Sequence, residues 1–238
     1  MKNDLTDTHV LVDLQFVATA ARAKSSAWYF KTGEGEYGEG DVFIGVTVPQ
    51  QRKISRKFQN LSQKEIAKLL HSKIHECRMV ALFILVNRFQ KGDENVRANV
   101  YKFYLSHVDR INNWDLVDCS APNILGAYMM MHPERRSLLF TFAKSKNLWK
   151  RRIAILSTFT FIKHEDYTDA LALAKLLLGD SEDLIHKATG WMLREIGKKN
   201  VKVEEKFLTS YHKVMPRTML RYAIEKFPLA KRHRYLAK

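Results

Sequence analysis

Residues 149–162, WKRRIAILSTFTFI, decide how this chain is read. A cluster of cations leads straight into an apolar run that no glycine or proline interrupts. Such a run has the 3.6-residue rhythm of a helix with a buried face. The pattern of a basic residue followed by small or apolar residues returns elsewhere. It occurs at Arg78-Met-Val-Ala-Leu, Arg152-Ile-Ala-Ile-Leu, Lys187-Ala-Thr-Gly-Trp and Arg217-Thr-Met-Leu. The last three begin 35 and 30 residues apart, and the first precedes them by 74. Helix-pair solenoids repeat every ~34–47 residues. The expected fold is therefore all-α: an α-solenoid of antiparallel helix pairs in which one helix of each pair lines a concave surface. An irregular helical domain is the alternative.

Working outward, most segments read as helices joined by short polar links. Residues 5–23 form one expected helix. Pro49 suits the first turn of another, and Glu65 and Leu69 share a third. ECRMVALFILVNRF (76–89) follows, then NVYKFYLSHVDRI, NILGAYMMMH, ALALAKLLLG, LIHKATGWMLREIGKK and MPRTMLRYAIEKF. Gly92 and Gly179 stand where helix C-caps belong. KRHRYLAK at the C-terminus reads as a solvated tail. The segment KTGEGEYGEGD (31–41) is a connection. Gly33, Gly35 and Gly38 match GxGxxG, but no strand precedes the match and no helix opens at its end. The four acids of the segment would repel phosphate. We read it as a loop that uses positive φ angles.

Composition narrows the partners. The chain has 238 residues, with 40 Lys+Arg against 25 Asp+Glu, a formal charge of +15. A pI near 9.8 points to a polyanion, nucleic acid first. The expected organisation is one domain over 1–238. Asp4, Asp7 and Asp13 precede any apolar run, which argues against a secretory signal. No stretch reaches the ~18 apolar residues of a membrane helix. Cys77 and Cys119 fit no metal-ligand spacing and read as buried, reduced thiols of a cytoplasmic protein. No metal and no cofactor are expected.

The cations are unevenly placed. Lys150, Arg151 and Arg152 crowd a helix N-terminus, where the dipole disfavours them by a few tenths of a kcal/mol each and an approaching phosphate would offset that. Lys187, Arg194 and Lys198 share one face with Trp191 between them, and Arg217 and Arg221 share another. These stripes suit either a phosphate backbone or plain solvent.

One acidic stretch stands out, NNWDLVD (112–118). Asn112 is a good N-cap and Asp115 fits the acid of a capping box. Asp118 has no such explanation. It lies four residues after Trp114, on the same face. It is either a surface acid beside a half-buried indole or a chemical group. Ala188, Thr189 and Gly190 leave room for close approach before Trp191. Trp114, Trp191, Asp118 and Arg152 on successive concave helices would make an aromatic cleft with a carboxylate at its base.

Five stretches together carry a family resemblance: NNWDLVD, LWKRRIAIL, KATGWMLREIGKK, MPRTMLRYAIEKF and AWYFKTGEGEYGEGD. The chain resembles the AlkD family of HEAT-like DNA alkylation repair glycosylases from about Ala27 to Phe227. The resemblance implies a C-shaped stack of HEAT-like helix pairs that removes positively charged N3- and N7-alkylpurines from duplex DNA. It implies Asp118 as the catalytic carboxylate, Trp114 and Trp191 as the cleft tryptophans and Arg152 as the phosphate-holding arginine. Tyr29 falls on the N-terminal tyrosine, and Arg194 on the arginine after the second Trp. Tyr29, Arg151, Lys187, Arg194, Arg217 and Arg221 are the expected DNA contacts. The acidic glycine-rich loop departs from the family pattern. A monomeric, monofunctional enzyme is expected, cytoplasmic, or nucleoid-associated in a bacterium. The alternative is a non-catalytic helical-repeat protein that binds nucleic acid or scaffolds other proteins.

Overall fold

The computed structural model describes residues 5–237. In chain order the helices are α1 (Asp7–Phe16), α2 (Ala20–Tyr29), α3 (Val48–Lys57), α4 (Gln63–His71), α5 (His75–Lys91), α6 (Glu94–Ser106), α7 (Trp114–Ala121), α8 (Ala127–Met131), α9 (Ser137–Ala143), α10 (Leu148–Lys163), α11 (Thr168–Leu176), α12 (Asp183–Lys199), α13 (Val201–Tyr211), α14 (Arg217–Ala223) and α15 (Leu229–Leu236). A π-helical turn, Pro122–Gly126, precedes α8. Among the described residues the one extended pairing is a parallel bridge between Val42 and Ile74. The fold is an all-α stack of helical repeats, as the recurrent basic-apolar pattern predicts. Two compact units divide it, Met1–Ser120 and Ala121–Lys238.

In the first unit α5 is the centre. Its residues from His75 to Leu85 are all buried, and α3, α4, α6 and α1 pack around it. Local chemistry starts its neighbours. Thr47 and Gln50 form a capping box on α3, with a proline in the first turn. Ser62 accepts from the Glu65 N–H to open α4, and Asp93 accepts from that of Val96 to open α6. The expected helix over residues 5–23 is two helices. Thr19 is extended between α1 and α2, and its N–H donates to the Gly45 carbonyl at 3.3 Å. That hydrogen bond is tertiary, so nothing within residues 5–23 announces the break.

In the second unit α10 holds the centre. It packs on α9, α11, the π-turn and α12, and α12 packs on α13 and α14. Ile153, Ala154, Ile155 and Leu156 are fully buried. Burial contributes ~1.5–3 kcal/mol for each large side chain. The poor helix propensity of β-branched residues costs only a few tenths each, so packing decides the helix. Asn147 caps it, accepting from the Trp149 N–H at 2.8 Å and the Lys150 N–H at 3.3 Å. The C-terminal stretch is not a tail. It forms α15, where Tyr235 packs edge-on to His212 and Lys231 pairs with Glu205. Helix α9 has no counterpart among the expected elements.

Candidate functional site

The acidic stretch 112–118 opens α7, and the structure gives its residues different tasks from those read in the sequence. The helix starts one residue late. The Asn113 carbonyl accepts the first helical bond, from the Val117 N–H at 3.1 Å. Asn113, not Asn112, is therefore the N-cap. Its side-chain oxygen accepts from the Trp114 N–H at 2.8 Å. Asp115 is structural, as expected, but not through a capping box. Its Oδ2 lies 2.9 Å from Nε2 of His75 at the start of α5.

His75 is the hub of a buried polar network. Its Nδ1 lies 3.0 Å from Oδ2 of Asp41. Asp41 also accepts from Arg78 at 2.6 Å and from Asn113 at 3.1 Å. A neutral imidazole would turn a lone pair toward one of the two carboxylates. Carboxylates on both ring nitrogens therefore favour the imidazolium, against the Arg78 Nη2 that lies 3.3 Å from Nδ1. Burial works against that charge, but Asp115 and then Asp41 outweigh it and hold the pKa above the ordinary histidine value. Burial also raises the Asp41 pKa, and His75, Arg78 and Asn113 together reverse this and keep its carboxyl below the usual range. Glu76, next to His75, accepts from the backbone N–H groups of Ile44, Gly45 and Val46. The first turn of α5 thus grips both the loop after Asp41 and the start of α7.

Aromatic rings cover this network. Phe43 stacks on His75 at 4.4 Å between centroids, and Phe30 stacks on Phe43 at 4.8 Å. Trp114 lies parallel to Phe30 at 5.0 Å, and Tyr29 meets Trp114 edge-on at 5.9 Å. Tyr29 and Trp114, both singled out from sequence, are therefore in contact. Asp118 is half-buried one turn along α7 from Trp114. Phe30, Phe43, His75, Asp41, Arg78 and Asn113 were not legible as site residues, because contacts far apart in sequence bring them together, 34 residues for His75 with Asp41 and 72 for Asn113 with Asp41.

The glycine-rich loop closes on itself. The Gly33 N–H donates to Glu36 and the Gly35 N–H to Glu39, each at 2.9 Å. Gly35 and Gly40 have φ of +72° and +84°, the positive angles expected here. The acids take the N–H groups that a phosphate would need.

The other expected residues lie in the second unit. Arg152 is 5% exposed, and its Nη1 donates to the Leu184 carbonyl at 2.6 Å. Arg151 binds Asp180 through two nitrogens, at 2.6 and 3.2 Å, and donates to the Ser145 and Lys146 carbonyls. The cation crowding at the start of α10 is thus offset inside the protein for Arg151, and no phosphate is needed to explain it. Trp191 is half-buried. Its Nε1 donates to Glu195 at 2.9 Å, and Phe159 lies 5.7 Å away. Lys198 meets the same carboxylate at 2.6 Å. Lys187 pairs with Asp183 at 2.7 Å, and Arg194 with Glu225. Each cation of the Lys187–Arg194–Lys198 face thus has a carboxylate partner. Arg217 and Arg221 are exposed, and Arg217 donates to the Leu236 carbonyl.

The room expected before Trp191 is already filled. Ala188, Thr189 and Gly190 are buried, and a Cβ on Gly190 would stand 2.3 Å from the Met219 carbonyl oxygen of α14. At Gly190 the missing side chain lets α14 approach α12. Burial raises the Cys77 pKa to about 11 and that of Cys119 as well, as suits inert thiols. Among the described residues no cluster of three or more metal-ligating side chains is present. No described helix is long and apolar enough to cross a membrane.

A predicted DNA alkylation repair enzyme from Enterococcus faecalis has a similar structure, with a TM-score of 0.70 at 18% identity over 91% of this chain and 99% of that one. AlkD2 from Streptococcus mutans is similar with a TM-score of 0.55 at 17% identity over 93% and 96%. No curated protein matches the sequence. The family model described as "DNA alkylation repair enzyme" matches residues 10–227. The chain belongs to the DNA alkylation repair enzyme family.

Proposed function

We propose that the protein is a monofunctional DNA glycosylase that hydrolyses the N-glycosidic bond of cationic N3- and N7-alkylpurines in duplex DNA. The observation that carries this reading is the placement of a carboxylate beside an indole on α7: Asp118 is half-buried one turn along the helix from Trp114, on the same face. A cationic alkylpurine is already a good leaving group and needs no general acid. What the reaction needs is stabilisation of the oxocarbenium-like sugar that forms as the bond breaks. A carboxylate beside that sugar supplies it and orients the attacking water.

In this reading Trp114 and Tyr29 offer apolar walls to the deoxyribose and its backbone. Trp191 and Arg152 are proposed backbone contacts of the second unit. Lys187, Arg194, Arg217 and Arg221 are proposed to supply positive potential toward phosphates. A surplus of fifteen positive charges draws a polyanion to the protein.

The test is release of base from a duplex carrying one N7-methylguanine. Wild type is expected to release it. Asp118→Asn is expected to lose at least ~10-fold in rate while still binding, a floor for removing one electrostatic stabiliser. No release by wild type, or an equally fast variant, sinks the catalytic reading and leaves a nucleic-acid-binding repeat protein.

A further inference from the structure

Helix α2 buries none of its residues. Its surface composition is therefore set by something other than the core. From Ala18 to Thr32 there is no acid, and Arg22, Lys24 and Lys31 are all basic. Trp28 is 75% exposed and Tyr29 58%. Water-exposed tryptophan in an acid-free basic stretch is an unusual pairing, since large aromatic groups favour burial. A groove of about 650 Å³ runs here, lined by Lys24, Ser25, Ser26, Trp28, Tyr29 and Phe30. Lys24 and Trp28 are four residues apart and share one side of the helix. Arg22, Ser25, Ser26 and Tyr29 share the adjoining side. Lys31 places its ammonium 5.5 Å from the Trp28 ring centroid. Phe30, which lines the groove, stacks on Trp114 at 5.0 Å.

We infer that this groove is a nucleobase-stacking site. Trp28 offers its indole face to an unpaired base of a DNA strand, and Lys24 and Arg22 hold the flanking phosphates. The inference rests on the DNA-directed reading above and adds a contact separate from the Asp118 chemistry. Charge selects the partner: Arg22 and Lys24 on an acid-free helix complement a polyanion, while Lys31 lies 3.9 Å from Glu36. Chemistry selects the base, because stacking needs an accessible π face and tolerates any base. A membrane surface fits less well. An interfacial helix needs an apolar face that enters the bilayer. Residues 20–29 contain no Leu, Ile, Val, Met or Phe.

Binding of unmodified DNA tests this without any base release. Three fluorescent DNA ligands are used, a single strand, a duplex with a one-base bulge and a fully paired duplex, with phosphatidylglycerol vesicles measured beside them. Trp28→Ala is expected to weaken the first two at least about fivefold and the paired duplex less than about twofold. Trp28→Phe, which keeps a π face, is expected to restore most of the affinity. Lys24→Glu is expected to weaken all three and to flatten the dependence on salt. Equal effects of Trp28→Ala on all three ligands overturn the proposal. So does a Trp28→Ala effect confined to phosphatidylglycerol vesicles. Base release from the methylated duplex, measured on the same samples, separates the two readings. A Trp28-dependent bulge preference without base release sinks only the glycosylase. Base release with unchanged bulge binding in Trp28→Ala sinks only the stacking site.

Discussion

His75 holds Asp115 through Nε2 at 2.9 Å, across forty residues of sequence. Its other nitrogen holds Asp41, so one charged ring ties the loop to the start of α7. Removing it leaves the buried Asp41 to Arg78 and Asn113 alone and takes the imidazole partner from half-buried Asp115. His75→Gln is expected to cost ~3 kcal/mol or more, as when one partner leaves a buried charge network. The pH dependence has a definite sign. A folded pKa above the ordinary value means that the stabilisation is full below ~6.5 and is lost as pH rises through the folded value. Urea denaturation at pH 6 and pH 9 should show wild type losing more stability than His75→Gln. Parallel losses would refute the charged ring.

Glu204 of α13 works in the same direction for a different reason. It is buried beside Gly197 of α12, and burial pushes its carboxyl up to about 8, with Lys231 and Arg194 too weak to restore it. The folded protein therefore keeps a proton that the unfolded chain sheds above its ordinary value of 4.5. Stability contributed by this group is full below that value and falls as pH climbs toward about 8. Glu204→Gln cannot ionise. Its thermal midpoint, measured against wild type at pH 5 and pH 8, should rise relative to wild type by several degrees at the higher pH. A constant difference would mean that Glu204 does not titrate in this range.

Gly190 sets the spacing of α12 and α14. Alanine there would gain ~1 kcal/mol of helix propensity. Its methyl, however, would meet the Met219 carbonyl at 2.3 Å and the Tyr222 Cβ at 2.6 Å. The first of these is backbone and yields only if α14 shifts, at the ~1–3 kcal/mol typical of overpacking. Gly190→Ala should therefore lower the urea midpoint despite the better propensity. An unchanged or raised midpoint would show that the helices are not in close contact there.

Much of the architecture was legible because its determinants are local. Pro49 in the first turn of α3, and apolar runs such as 153–156, carry their own structural signal. What escaped was decided across long separations. The break at Thr19 depends on Gly45, the start of α7 on Asp41, and the role of Gly190 on Met219. The C-terminal cations looked solvated because the partners of α15, His212 and Glu205, lie more than twenty residues upstream. The site was half legible for the same reason. Trp114 and Asp118 share a helical turn, whereas the rings beneath Trp114 arrive from Phe30, Phe43 and His75.

The two anchors around the glycine-rich loop have a practical consequence. Upstream, Phe30 is pinned beneath Trp114; downstream, Asp41 is pinned to His75 and Arg78. The ten residues between them turn back on themselves, with the Gly33 and Gly35 N–H groups donating to Glu36 and Glu39 and that of Gly38 to the Lys31 carbonyl. Gly35 and Gly40 answer for the positive φ angles there, and the cost of loop closure grows slowly with length. The loop's exposed tip at Glu34 and Gly35 is the natural graft point of the molecule, a place where a tag or a reporter domain can be spliced in clear of the Lys31 ammonium over Trp28 and the Tyr37 hydroxyl on the Tyr29 carbonyl.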